Sequence, residues 1–394
     1  MDKQTISSLA KKYYPEILAI RRRLHQYPEL SFKEHETQAY IRNILNDWGL
    51  NPREIAGTGL YVDLEGIGDG PYLVLRADID ALPIEEKTDL PFISQHPEVM
   101  HACGHDIHAS SLLGTIRILK DIQDKFPGRI RCLFQPGEEL LPGGAEIILK
   151  SGLLDNPKPD YIIGQHVFPE LPAGQVGFRS GQYMASTDEI YIEVTGTGGH
   201  AAMPDNLVDP VLIASHLVVS LQQIVSRKAP SHVPTVLSFG KFDARGATNI
   251  IPEKAFLEGT FRTMDEKWRS RALKEIESLV NGMALSMGGK AECNIVNGYP
   301  ALVNDKYLTG RLTQAASEYL GGNMVAELEL RMTGEDFARY SQIIPASFYR
   351  LGTGFPDRSI NYPVHHSRFE VNEEALITGM GLMAFFAVDI MTAG

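Results

Sequence analysis

Among 394 residues that include only 12 histidines and 3 cysteines, four metal-capable side chains fall within eight positions. They are His101, Cys103, His105 and His108, in Met100-His-Ala-Cys-Gly-His-Asp-Ile-His108. Cys103 and His105 are two apart, so extended backbone lets both face one cleft. Singly, Cys103 or His108 reads as a small core residue or a capping group; together the cluster reads as metal ligation. His101 and His105 are four apart, but a zincin pair needs Glu directly after the first His on a helix. Here Ala102 follows and Gly104 breaks the helix, so that reading fails. A second candidate is Gln135-Pro-Gly-Glu138-Glu139, directly after a strand-like run. Two carboxylates at a strand end can divide labour, one binding metal and one moving a proton, with burial raising the second one's pKa. The same pair also suits a solvated helix start. His166 ends Gly164-Gln-His at another strand end, and His365-His366-Ser367 lies in a loop before the last helix. Nitrogen and sulfur donors with one carboxylate suit Zn²⁺, Mn²⁺, Co²⁺ or Ni²⁺ better than Mg²⁺ or Ca²⁺.

Such groups need a scaffold to bring them together. Helical spacing covers residues 2–24, 33–48 and 110–119, with a short helix at 144–150. Strand-like runs at 61–64, 72–77, 129–135 and 161–165 alternate with them. That alternation predicts an α/β layer fold around a largely buried sheet. Between about 185 and 297 the pattern changes. Ile190, Ile192 and Val194 alternate with polar residues, and Asp209-Pro210 opens a helix. Strand-like runs follow at 235–242 and 254–262, then a helix with Leu273, Ile276, Val280, Met283 and Met287 on one face, then a strand at 291–296. This β-α-β-β-α-β order is that of a split βαβ module. The α/β pattern resumes at Tyr307, so the expected division is 1–184 and 298–394 for the larger domain and 185–297 for the inserted one.

Composition narrows the function classes. Thirty-seven basic against 49 acidic residues give a net charge of −12, which argues against a nucleic-acid partner. Three cysteines form no disulfide framework and predict a reducing compartment. Charged residues interrupt the first 24 positions, so no secretory apolar core is expected there. The apolar run 375–388 falls short of the roughly 20 residues a span needs and reads as a buried helix. A cytoplasmic protein with no membrane partner is the expectation. There is no P-loop, no Gly-x-Ser-x-Gly elbow and no dinucleotide fingerprint.

In chain order, Cys103-Gly-His105-Asp-x-His108, Gly-Glu138-Glu139, His166, Gly199-His200-Ala-Ala-x-Pro204 and His366-Ser367 resemble one group of enzymes. That group is the aminoacylase and carboxypeptidase superfamily of two-metal hydrolases. The similarity is greatest to its amidohydrolase branch of N-acyl-amino-acid, hippurate and auxin-conjugate hydrolases, and spans nearly the whole chain. The resemblance implies a metallopeptidase-like α/β catalytic domain with an inserted ferredoxin-like lid and dimerisation domain. It implies metal-dependent hydrolysis of a small N-acyl amino acid or, alternatively, dipeptidase or aminopeptidase action on short peptides. Two divalent ions per subunit would be held by Cys103, His105, Glu139, His166 and His366, with Cys103 between them. Glu138 matches the general base, and His200 a histidine that stabilises the oxyanion, in related dimers across the subunit interface. Asn249 and Arg262 match residues that hold the substrate carboxylate. A homodimer or higher homo-oligomer through the lid is implied as well. The chain departs from the wider superfamily at Arg76-Ala-Asp78-Ile-Asp80, where Asp78 occupies a metal-binding His position, so His105 supplies the imidazole. Cys103 replaces a bridging Asp, so the metal's identity is not carried over.

Overall fold

The computed structural model describes residues 2–392, and its chain forms two compact units. The first comprises Met1–Gly181, Val303–Glu329 and Arg339–Gly394. Its frame is an eight-stranded mixed sheet. The strands β1 (Arg53–Ile55), β2 (Gly59–Glu65), β3 (Tyr72–Asp78), β4 (Arg129–Gln135), β5 (Tyr161–Pro172) and β6 (Val176–Phe178) are joined by Val325–Glu327 and Ala346–Gly354. The spatial order is β1-β2-β4-β3-β5, then Ala346–Gly354, β6 and Val325–Glu327. The pairs of β3 with β4, of β3 with β5 and of β5 with Ala346–Gly354 are parallel. All seven residues of β3 and all nine of Ala346–Gly354 are buried, as expected for parallel strands covered on both faces.

Helix α1 (Lys3–Gln26) buries Ile6, Ala10, Tyr13, Ile17, Ile20 and Leu24, three and four apart, and Asp2 caps it by accepting from Gln4 N. Helices α2 (His35–Asp47) and α3 (His105–Asp121) follow. The apolar run near the C-terminus belongs to helix Ala375–Thr392, with a mean hydropathy of 1.8. It is long and apolar enough to cross a membrane, yet 83% of it is buried in the protein, against α1 and α3. A helix apolar on every side is what such a central position requires.

The second unit comprises Gln182–Leu302 and Leu330–Ala338. Its antiparallel sheet has the order Thr235–Asp243, Lys254–Thr263, Asp188–Thr195, Lys290–Asn297. With helices Pro210–Gln223 and Glu266–Ser286 this is the split βαβ arrangement. Asp209 accepts from Val211 N and Leu212 N ahead of the first helix, and Asp265 accepts from Trp268 N ahead of the second. Beneath the sheet, buried Asp188 takes two hydrogen bonds from Arg269, at 2.7 and 2.9 Å. The bounds differ from the expected 185–297, because Leu330–Ala338 returns to this unit. Ala185 N donates to Arg331 O at 3.1 Å, a backbone pairing that no composition shift announces.

Candidate active site

The parallel strands deliver their ends to one place in the first unit. β3 ends at Asp78 and continues to Asp80, β4 runs into Pro136–Glu139, and β5 carries His166. Strand ends of α/β sheets are where catalytic groups collect. Helix α3 begins at His105, directly after Gly104 with φ +78°. A Cβ on Gly104 would lie 2.6 Å from Val167 Cγ2, so both its backbone angle and its surroundings require glycine. That turn projects Cys103 and His105 from one short segment toward the ends of β4 and β5.

The hydrogen bonds fix which ring nitrogens are available. His105 Nδ1 donates to Asp80 Oδ1 at 3.1 Å, leaving Nε2 buried and without a hydrogen bond among the described residues, 3.8 Å from Asp78 Oδ1 and 3.9 Å from Glu139 Oε1. His166 Nδ1 donates to Val167 O at 2.9 Å, which points its Nε2 at Cys103 Sγ, 3.4 Å away. His108 is used differently. Its Nδ1 donates to Asp78 at 2.5 Å and its Nε2 accepts from Val167 N at 2.8 Å, so it has no lone pair for a metal. Asp78 is also taken, by Arg76 Nη1 at 2.5 Å. The carboxylate at a histidine's position is thus part of a buried ion-paired strut rather than a ligand. Asp80, not singled out as a site residue, holds His105 with one oxygen. With the other it accepts from Glu139 N at 2.9 Å and Ser31 Oγ at 2.7 Å. Its place two residues after Asp78 was the only trace of this role in the sequence.

His366, expected in the cluster, does not join it in the structure, and its neighbour does. His365 Nε2 lies 3.3 Å from Cys103 Sγ and 3.1 Å from Glu139 Oε1. His366 instead stacks on Tyr362, with centroids 4.5 Å apart, and its Nδ1 accepts from Arg368 N at 3.0 Å. His365 has φ +66°, and its half-exposed side chain reaches Cys103 and Glu139, whereas that of His366 lies against Tyr362. Five side chains therefore converge, namely Cys103, His105, Glu139, His166 and His365, with buried Glu138 grouped with His105 and Glu139.

The donor set fits divalent metal. With metal–ligand bonds of roughly 2.0–2.3 Å, tetrahedral ligand atoms sit about 3.3–3.8 Å apart, close to the separations found here. The electrostatics agree. Burial lowers the pKa of His105, but Asp78, Asp80 and Glu139 outweigh it and push the imidazole up to about 10. The field that would hold a proton on Nε2 is one that draws a cation there. Burial, then Glu139 and Glu138, push the Cys103 thiol well above its usual range, so its thiolate needs positive charge beside it. Burial, then Arg350, hold His166 well below the usual imidazole value, neutral and ready to ligate. We expect His365→Ala to weaken metal affinity by at least the roughly 10–100-fold typical of lost outer partners. His366→Ala should change it little, and chelator-competition titration of both variants reads the difference; the reverse ranking would reinstate His366.

The remaining expected residues lie on the second unit. His200 and Asn249 come together: Gly199–His200 pairs with Ile250–Ile251, and Ala201 N donates to Asn249 O at 3.0 Å. Both side chains are exposed. Arg262 sits elsewhere, half-buried on Lys254–Thr263, with Nη1 donating to Met332 O at 3.3 Å.

A family model described as Peptidase family M20/M25/M40 matches residues 74–389. The chain is 41% identical to N-acetyl-L-cysteine deacetylase of Bacillus subtilis, covering 94% of this chain and 86% of the relative. It is 37% identical to IAA-amino acid hydrolase ILR1-like 4 of Arabidopsis thaliana, over 96% and 87% of the two chains. Among solved structures it is similar to the Bacillus subtilis YXEP protein, described as a dinuclear metal binding peptidase from the M20 family. That match has a TM-score of 0.83 and 33% identity, covering 97% and 99% of the chains.

Proposed function

The chain belongs to peptidase family M20/M25/M40 and is a hydrolase of amide bonds, and from that premise we propose that it cleaves N-acyl amino acids with Glu138 as general base and acid. The observation that carries this is the convergence of Cys103, His105, Glu139, His166 and His365 beside buried Glu138. Two divalent cations held by these side chains would polarise the scissile carbonyl and acidify the attacking water. Glu138 then takes the water's proton and delivers it to the departing nitrogen. Its burial keeps bulk water from competing for that proton. Asp80 keeps His105 in the tautomer that leaves Nε2 for the cation, and through Glu139 N it fixes the turn that bears Glu138.

The deacetylase and IAA-amino acid hydrolase relatives favour an acylated amino acid over a peptide with a free amine. Asn249 and Arg262 are assigned to the substrate carboxylate, and His200 to the oxyanion, on the resemblance of their motifs. A homodimer or higher homo-oligomer through the second unit and a cytoplasmic setting complete the reading. The test is a panel of N-acetyl and N-benzoyl amino acids against dipeptides with a free amine, run on protein of known metal content. We expect kcat/KM to be about 10-fold or more higher on the acylated substrates. His200→Ala should lower kcat with metal content unchanged. Faster turnover of the dipeptides would overturn the substrate assignment.

A further inference from the structure

Helix α2 begins against local rules. Glu34 occupies its N-cap position, yet makes no side-chain bond to the helix. Glu29 does that work from outside, accepting from Glu36 N at 3.2 Å and Thr37 N at 2.8 Å. A cap residue that leaves its own helix to another carboxylate has a use elsewhere. The Glu34 side chain is fully buried, and its Oε1 accepts from Gly137 N at 2.9 Å, 103 residues along the chain. Its other oxygen accepts from Thr58 Oγ1.

Gly137 is the residue immediately before Glu138. It has φ +63°, and a Cβ there would lie 2.3 Å from the ring of Phe32. Phe32 itself has φ +63°, a conformation costly for a bulky residue and maintained only where surroundings enforce it. Ser31 donates to Asp80 Oδ2, the oxygen that also accepts from Glu139 N. Three of four consecutive side chains, Ser31, Phe32 and Glu34, thus bear on the two sides of the turn that carries Glu138 and Glu139. None of them belongs to the metal-ligand set.

We propose that Ser31–Glu34 is a positioning element of the active site, in which Glu34 sets the Gly137–Glu139 turn and thereby the aim of Glu138. The proposal rests on the reading of Glu138 as general base. A buried carboxylate on the Gly137 amide fixes the Pro136–Gly137 peptide plane, one peptide unit ahead of the Cα that bears the Glu138 side chain. An angular error there moves the carboxylate away from the water and the leaving nitrogen, which affects turnover more than substrate or metal binding.

The test uses the metal-loaded full-length protein with Glu34→Ala, Glu34→Gln and Glu34→Asp, assayed on N-acetyl amino acids. Glu34→Ala should lower kcat by about 10–100-fold with KM within about threefold of wild type. Metal content per folded chain should be unchanged. Hydrogen exchange at the Gly137 amide should become faster in this variant. Glu34→Gln keeps an acceptor of the same reach and should recover most of kcat and the amide protection. Glu34→Asp withdraws the acceptor by one methylene and should fall between them; if the alanine protein does not fold, this variant decides. A kcat within twofold of wild type in the folded Ala or Asp protein overturns the proposal. So does an activity loss matched by metal loss, or one that appears in KM instead. Glu138→Ala run alongside separates the two ideas: full activity there removes the general base, whereas a normal Glu34→Ala beside an inactive Glu138→Ala removes only the positioning role.

Discussion

Glu138→Ala is expected to lower kcat by about 10³-fold while leaving metal content at the wild-type level, since general acid–base groups contribute about 10²–10⁴. The expectation follows from position. Glu138 is buried, grouped with His105 and Glu139, and adjacent in sequence to the carboxylate proposed to hold metal. Its removal takes away the group that moves the proton but none of Cys103, His105, His166 or His365. Kinetics and metal analysis on the same preparation separate the two roles. Loss of metal together with activity would make Glu138 a ligand, and near-normal turnover would falsify its role as base. Glu139→Ala should show the opposite profile, with metal affinity falling first.

The largest effect on stability is expected one layer behind the ligands. Asp106, at the second position of α3, is 1% exposed and lies 2.8 Å from Arg21 Nε and 2.9 Å from His25 Nδ1. Arg21 is 2% exposed and also donates to Glu373 at 3.1 Å. Asp106→Ala removes the carboxylate that Arg21 and His25 share and leaves each buried cation one partner, Glu373 and Glu86, so urea denaturation of the chelated protein should show a loss of about 3 kcal/mol. A loss near that of a surface substitution, under about 0.5 kcal/mol, would contradict this account. The same network has a pH signature. Burial lowers the pKa of His25 and Arg21 lowers it further, but hydrogen bonds to Asp106 and Glu86 outweigh both and raise it above the usual imidazole value. The stabilisation from this raised pKa is therefore fully present below about pH 6.5 and is lost as pH rises through the folded-state value. Wild type should exceed His25→Gln in stability at pH 5–6, with the gap narrowing toward alkaline pH. A gap that widens with pH would reverse the assigned charge.

Much of this was legible in the sequence, and the limits have physical causes. Strand and helix periods located the second unit's sheet and helices and part of the first unit, but not the buried strand Ala346–Gly354, the first turn of α3 from His105 or the extension of β5 to Pro172. Cys103, His105, Glu139 and His166 could be named because their residue types and motif order are rare. His365 and His366 could not be told apart by spacing: they are adjacent, and only the folded chain, with His365 at φ +66°, brings one of them to Cys103 and Glu139. His108 was left out of the expected ligand set, and the Val167 amide on its Nε2 gives the physical reason. Asp80, Ser31 and Glu34 are ordinary residues in turns, and what distinguishes them is a partner 25 to 103 positions away. Local pattern carries no information about such partners.

The sheet order has a consequence for how the chain is made. Ala346–Gly354 lies between β5 and β6 and pairs with both, yet it is synthesised long after them. Until it emerges, β5 presents an unsatisfied edge to anything able to add a strand. The continuous stretch Gln182–Leu302, by contrast, holds all four strands of its own sheet well before then. Truncation before residue 346 therefore leaves one intact sheet beside an open one, a nascent chain whose later-folding part is the part that carries the catalyst.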